Sequence, residues 1–313
     1  MVDVIPMERN FLIDNVKGVL ACMVLLAHTP PLLSVNDIPL EFKMVIHCVI
    51  MPSFIFYSGI LSKNIDRRLS HSFKAIFIPY LVFTVINHKS LSSLYDPRGI
   101  LWYLLTLYFI IFCVSQIVKV KYSLFWACLV SVSGFYFFNI NSHNFLCLGI
   151  ALSMLPMFLL GYYTPVQKIE YLHRKKIFSI VLGIVSIISI ALLTNFGYVY
   201  WRFRPHFYHS TFSEEILKMV ICVLSLGTIL LINALVPTKS CRLSKIGQYS
   251  LVVYLLHPYL FRLFGKLYIF DNNYYNLFMA LLISILSAYL LSTNKIKNIF
   301  NLCLEKVSDI ILK

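Results

Sequence analysis

Long apolar runs recur from one end of this chain to the other, and they constrain its fold more than any motif does. Bounded by charge, Pro or Asn, ten can be read: residues 16–33, 43–61, 73–86, 100–118, 123–138, 145–163, 177–195, 215–236, 250–264 and 274–291. A membrane-crossing helix needs about 20 mostly apolar residues, so ten runs use most of the 313 and leave short connections. Composition agrees, since 59% of residues are hydrophobic, 13% are charged and the mean hydropathy is +0.79. A soluble globule carries roughly 25% charged residues. These features predict an all-α integral membrane protein: one domain over residues 1–313, a bundle of about ten transmembrane helices, with no separate soluble domain. The first run does not read as a cleaved signal peptide, because Asp14 and Lys17 precede it, His28 interrupts it and further runs follow at once.

The charge balance is lopsided, with 27 Lys and Arg against 13 Asp and Glu and a formal net charge of +14. In a soluble chain this would suggest a nucleic-acid partner; in a membrane chain it reports which side each loop faces. Sorting the cations by alternate loops puts 19 on the side of both termini and 8 on the other. The excess predicts cytoplasmic N- and C-termini in the inner (plasma) membrane, with the lipid bilayer rather than nucleic acid as the surrounding partner. The eight cysteines are scattered without a CxxC pair or a His/Cys cluster, so neither disulfides nor a metal site is expected. The longest outward loop, near residues 197–213, is rich in aromatics and histidine. It reads either as an interfacial aromatic belt or as a lid over a ring-shaped polar substrate.

The informative stretch opens the first run. Asp14-Asn15-Val16-Lys17-Gly18 is followed by nine apolar residues and then His28. Lys17 and His28 are eleven apart, about 20° beyond three helical turns, so they share a face, with an axial separation of about 16 Å. Ionisable groups inside a span are costly and usually face the bundle interior. Imidazole is the group most easily poised for proton transfer near neutrality, or for transient nucleophilic attack. The plain alternative makes His28 an end-of-helix residue and Lys17 a topology anchor.

Further landmarks follow in order: Met51-Pro52-Ser53-Phe54-Ile55-Phe56-Tyr57-Ser58-Gly59, Arg67-Arg68, Ile78-Pro79-Tyr80, Leu101-Trp102-Tyr103-Leu104, and Gly247-Gln248-Tyr249-Ser250-Leu251 leading to Tyr254-Leu255-Leu256-His257-Pro258. With the opening D-x-x-K-G and its His, this series resembles the membrane-bound acyltransferase 3 family, in particular its branch that O-acetylates sugars of surface polysaccharides. Two departures stand out. The family commonly has His directly before the Met-Pro, where this chain has Ile50 with His47 a turn earlier, and the esterase-like domain fused to some members is absent.

The resemblance implies O-acetyl transfer from cytoplasmic acetyl-CoA, a donor substrate rather than a resident cofactor, to a hydroxyl of a surface polysaccharide or its lipid-linked precursor. It implies His28 as general base or acyl relay, Lys17 beside it on the stripe, and Asp14 holding Lys17 or orienting the helix end. Arg67 and Arg68, expected on a basic loop, become partners for the CoA phosphates, which guanidinium binds in bidentate fashion. Tyr254 with His257, three apart on one face of the ninth run, are either partners for the sugar or a helix-packing hydrogen bond, and Trp102 with Arg98 either stack on and bond the sugar or belong to an interfacial belt. Small Gly18 and Ala21 between Lys17 and His28 are expected to line a channel. The competing reading is a polysaccharide flippase or transporter without acyl chemistry. Against it, acids are scarce within the runs and no matched pair of Gly/Pro-broken helices is evident. Which sugar accepts the group, and the oligomeric state, are not encoded legibly.

Overall fold

A computed structural model describes residues 9–29, 40–87, 91–97, 99–140, 145–195, 212–264 and 273–311. All the regular secondary structure among the described residues is helical: α1 (Phe11–His28), α2 (Leu40–Ile60), α3 (Ile65–Ser72) running through a π-helical turn at Phe73–Phe77 into α4 (Ile78–Asn87), α5 (Trp102–Ile117), α6 (Ser123–Ile140), α7 (Leu148–Tyr163), α8 (Val166–Arg174), α9 (Lys176–Asn195), α10 (Phe212–Leu235), α11 (Arg242–Gln248), α12 (Ser250–Phe264), α13 (Asn273–Leu291) and α14 (Asn294–Ile311). Over most of its described residues, each apolar run read from the sequence coincides with one of these helices; residues 30–33 of the first run lie outside the described residues.

Length and composition qualify three stretches among the described residues as membrane spans: Phe11–His28, Ile65–Asn87 and Lys176–Leu193. The count rises to five if two bent pairs are each one span, α7 with α8 at 83° and α13 with α14 at 62°. Five shorter apolar helices complete the set: Ile46–Ile60, Trp102–Ile117, Ser123–Ser133, Met219–Leu235 and Ser250–Leu263. The ten expected spans are therefore ten apolar helical units, of which three to five have the length and composition to cross a bilayer by themselves.

The less apolar helices are where the sequence reading stopped too early. α3, α8, α11 and α14 are amphipathic or polar, so they carry no long apolar run. The C-terminal segment, expected as a tail, is α14; its Phe300 is buried and packs against Phe83 of α4 with ring centroids 6.1 Å apart. The basic loop is likewise α3. Asn64 caps it by accepting the backbone N–H of Arg67 at 3.1 Å, and the helix then continues unbroken to Asn87.

Close helix contacts hold the bundle. Gly59 of α2 faces the Phe158 carbonyl, and Gly161 of α7 faces the Phe56 carbonyl; a Cβ at either place would collide with backbone, so glycine is what lets α2 and α7 touch. α1 is sewn to the α10–α11 connection by Asn15. Its amide donates to the carbonyls of Pro237 (2.6 Å) and Lys239 (3.0 Å), and its oxygen accepts from Ser244 Oγ (2.6 Å) and Cys241 Sγ (3.2 Å). Every bonding capacity of this fully buried side chain is used.

Loops assigned to one side by the charge count meet at one end of the bundle. Asn10 of the N-terminal arm donates to Glu170 at 2.7 Å, and Tyr249 donates to Asn294 at 3.0 Å. Lys63, after α2, caps the C-terminus of α7 through the carbonyls of Gly161 (3.2 Å), Tyr162 and Thr164 (2.6 Å), satisfying acceptors that the helix end leaves open. Contacts of the other set lie at the opposite end, including Tyr259 to Asn87 at 2.8 Å and the Leu146 N–H to the Tyr95 carbonyl at 2.6 Å.

Candidate functional site

Inside the bundle, α1, α2, α3, α5 and α12 enclose a cavity of about 230 Å³. Lys17 and Arg68 both line it, with Tyr57, Tyr103, Gln248 and Tyr254 supplying further polar atoms and no carboxylate among the lining residues. Arg68 Nε and the Tyr57 hydroxyl are buried without a hydrogen-bond partner among the described residues. Buried donors are ordinarily satisfied, and two cations without an acid between them are costly unless an anion joins them. These features make the cavity a candidate site for an anionic group. It is smaller than the roughly 300–1,000 Å³ of a site for a whole drug-sized ligand.

Arg67 and Arg68 part company here. Successive residues on a helix point about 100° apart; Arg68 turns into the cavity while Arg67 is exposed and does not line it. Asp14 does not hold Lys17 in an ion pair either. Its carboxylate accepts from Arg9 Nε at 2.9 Å and from Gln248 Nε2 at 3.3 Å, which ties the N-terminal arm to α11. Gly18, expected along a channel, instead faces the backbone of Leu243, and Gly247 faces the backbone of Asp14. Ala21 is buried against the residues of α11 and α12. Small residues on this stripe serve the approach of α11 rather than a passage.

At the other end of α1, two histidines that the sequence kept 229 positions apart come together. The rings of His28 and His257 lie with centroids 5.0 Å apart, tilted by 58°. His28 Nδ1 is 2.8 Å from the Val24 carbonyl, and His257 Nδ1 is 2.7 Å from the Tyr254 carbonyl. A carbonyl only accepts, so each ring carries its proton on Nδ1 and presents Nε2 as a base. For His257 the sequence itself supplies the acceptor. Pro258 has no N–H to give the carbonyl four residues earlier, which is that of Tyr254, and the neighbouring imidazole takes the vacancy.

Tyr254 joins the two halves. It lines the cavity, donates its hydroxyl to the Ile100 carbonyl, and its ring centroid is 6.1 Å from that of His257. Trp102 is half-buried at the start of α5, edge-on to Tyr103 at 6.1 Å, and does not line the cavity. Arg98 and the aromatic loop near 197–213, apart from the first residues of α10, lie outside the described residues. Sequence reasoning missed Tyr57, Tyr103 and Gln248 as lining groups. Their only signal was membership of the Met51–Gly59, Leu101–Leu104 and Gly247–Leu251 stretches.

Fold and site together define a helical bundle of the membrane type with an internal cavity lined by Lys17 and Arg68 and a pair of adjacent imidazoles, His257 buried and His28 half-buried. Residues 90–293 match the acyltransferase domain that defines the acyltransferase 3 family. This is well over half of the chain, and the chain belongs to that family, whose members are acyltransferases. The matched stretch contains His257 and Tyr254 and begins after Asp14, Lys17, His28, Arg67 and Arg68. Neither the curated proteins nor the solved structures gave a match.

Proposed function

We propose that this protein is a membrane O-acetyltransferase that moves acetyl from cytoplasmic acetyl-CoA to a hydroxyl of a surface polysaccharide or its lipid-linked precursor. In this reading the ten apolar units cross the inner (plasma) membrane, both termini are cytoplasmic, and residues 1–313 act as one membrane domain. The excess of cations on the loops that meet at one end of the bundle supports this orientation.

The observation that carries the proposal is the layout of α1: an unsatisfied cationic cavity at Lys17 and Arg68, and an imidazole base about 16 Å further along the same helix. Acyl transfer from a phosphate-bearing thioester needs these two things at a separation. Lys17 and Arg68 hold a donor phosphate, with the Tyr57 hydroxyl as an additional donor to it. The exposed Arg67 contributes long-range attraction for the anion at the mouth. Asp14 fixes the end of α1 through Gln248, so that Lys17 keeps its place in the cavity wall. His28 Nε2 takes the proton of the acceptor hydroxyl as its oxygen attacks the thioester carbonyl.

Mass spectrometry of surface glycan from cells with and without the gene tests the proposal. One acetyl increment per repeat, lost with the gene and also lost in His28→Ala at normal protein levels, is the expected outcome. A glycan unchanged by deletion sinks it; a glycan restored in full by His28→Ala sinks His28 as the base.

A further inference from the structure

We propose that His257 is a second proton-transfer group of this site: it takes over the proton that His28 removes from the acceptor hydroxyl and returns it to the sulfur of the departing thiol. The proposal rests on the acyl-transfer reading above and adds a residue to it.

His257 is wholly enclosed, at 0% exposure. Its Nδ1 is committed to the Tyr254 carbonyl, and its Nε2, the atom left with a lone pair, has no hydrogen-bond partner among the described residues. Phe261 packs on the ring at 5.6 Å, so the surroundings offer nothing polar from that side. A structural histidine in a helical bundle is expected to spend both nitrogens on packing bonds. This one holds its basic nitrogen in reserve beside another imidazole.

Its place along the path is equally specific. Tyr254 forms the cavity wall, His257 follows one turn later on the same face of α12, and His28 lies next to His257. In this reading a thioester whose phosphate sits on Lys17 and Arg68 runs past Tyr254 towards the two imidazoles, which lie just beyond the cavity lining. The hydroxyl proton is released at His28, while the sulfur that must regain it arrives from the other direction.

The step balances without another reactant. The hydroxyl oxygen attacks the thioester carbonyl carbon and an oxygen–carbon bond forms while its proton passes to His28 Nε2. The carbon–sulfur bond breaks and its electron pair stays on sulfur. The proton then moves from His28 Nε2 to His257 Nε2 and on to sulfur, so that an ester and a free thiol leave and both imidazoles end neutral. While the proton is in transit, the second ring offers the imidazolium a charge-assisted bond in a place without water.

Membrane vesicles from the source cell, which carry the native acceptor, provide the test, with radiolabelled acetyl-CoA as the probe and glycan-bound label as the readout. His257→Phe keeps the ring volume, and His257→Gln keeps a hydrogen-bonding side chain that cannot carry a proton. Each is expected to lower turnover about a hundredfold with the apparent KM for acetyl-CoA within about twofold of wild type. Wild-type turnover in His257→Phe would reduce the residue to packing, and in His257→Gln to hydrogen bonding; either overturns the proposal, as does a raised KM at unchanged turnover. Should one variant fail to accumulate in the membrane, the other decides. An inactive His28→Ala beside an active His257→Gln removes this inference alone. Wild-type vesicles that transfer no label remove the acyl-transfer reading and this inference with it; an active His28→Ala leaves acyl transfer standing but removes His28 as the base and, with it, this inference.

Discussion

α1 and α9 each supply an 18-residue apolar window that qualifies as a membrane span, yet 56% of the first window and 22% of the second is buried. α9 turns Ile177, Val181, Ile184, Val185 and Ile188 outward and carries no ionisable residue after Lys176. α1 carries Asp14, Asn15, Lys17 and His28, and is enclosed by α2, α11, α12 and α13. The contrast teaches where a bundle of this kind can hold chemistry. Polar side chains are tolerated in a span only where other protein surrounds them, and such enclosure needs glycine or a small residue wherever a neighbour's backbone comes close. α9 forms the outer wall; α1 is the axis of the site.

The contrast can be broken in several places. The largest effect is expected from His28→Ala, which should cut acetyl transfer to the glycan by about 10²–10⁴-fold, measured as label incorporated per unit of membrane protein. Next, Gly18→Leu places a side chain where the Leu243 backbone lies. Prising α11 from α1 should cost about 3 kcal/mol or more, seen as a lowered thermal midpoint and poor membrane yield. Asn15→Ala strands the hydroxyl of Ser244 and two carbonyls. It should cost about 2–3 kcal/mol, and Asn15→Asp should not restore it, because two of the partners are carbonyls that need a donor.

Smaller effects separate the two arginines. Arg68→Ala should raise the apparent KM for acetyl-CoA about tenfold or more, as befits the loss of a charged hydrogen bond. Arg67→Ala should change it by about twofold at most, because an exposed charge is screened by water and salt. Equal effects would mean that the cavity is not where the donor phosphate binds. The smallest effect belongs to α9: Val185→Leu on its outer face should leave both stability and transfer unchanged, within about 0.5 kcal/mol. A marked loss there would show that α9 contacts something other than lipid.

Much of this organisation was legible in the residues. Periodicity placed an apolar helix on every run, and the spacing of Lys17 and His28 put them on one face, where the structure keeps them. Misreadings concentrated at the ends of the apolar runs. Arg67 and Arg68 look like a basic loop when the run is judged to begin at Phe73. The Asn64 cap and the π-helical turn extend the helix back to Ile65, and along a helix adjacent arginines point about 100° apart. Gly18 looked like the lining of a passage because smallness has two uses, and the sequence does not say which neighbour fills the space.

The sequence by itself determined that the chain is a helical bundle made for a membrane, that one helix carries a cation and an imidazole on one stripe, and that Pro258 leaves the Tyr254 carbonyl open for a side chain. These follow from local chemistry: apolar length, helical pitch and the missing N–H of proline. Only the tertiary structure decided that Arg68 rather than Arg67 shares a cavity with Lys17, that Asp14 belongs to Arg9 and Gln248, and that His257 stands beside His28. Those pairings join helices far apart in the chain. They depend on how backbones cross at Gly18, Gly59, Gly161 and Gly247, a matter of three-dimensional packing that no one-dimensional spacing records.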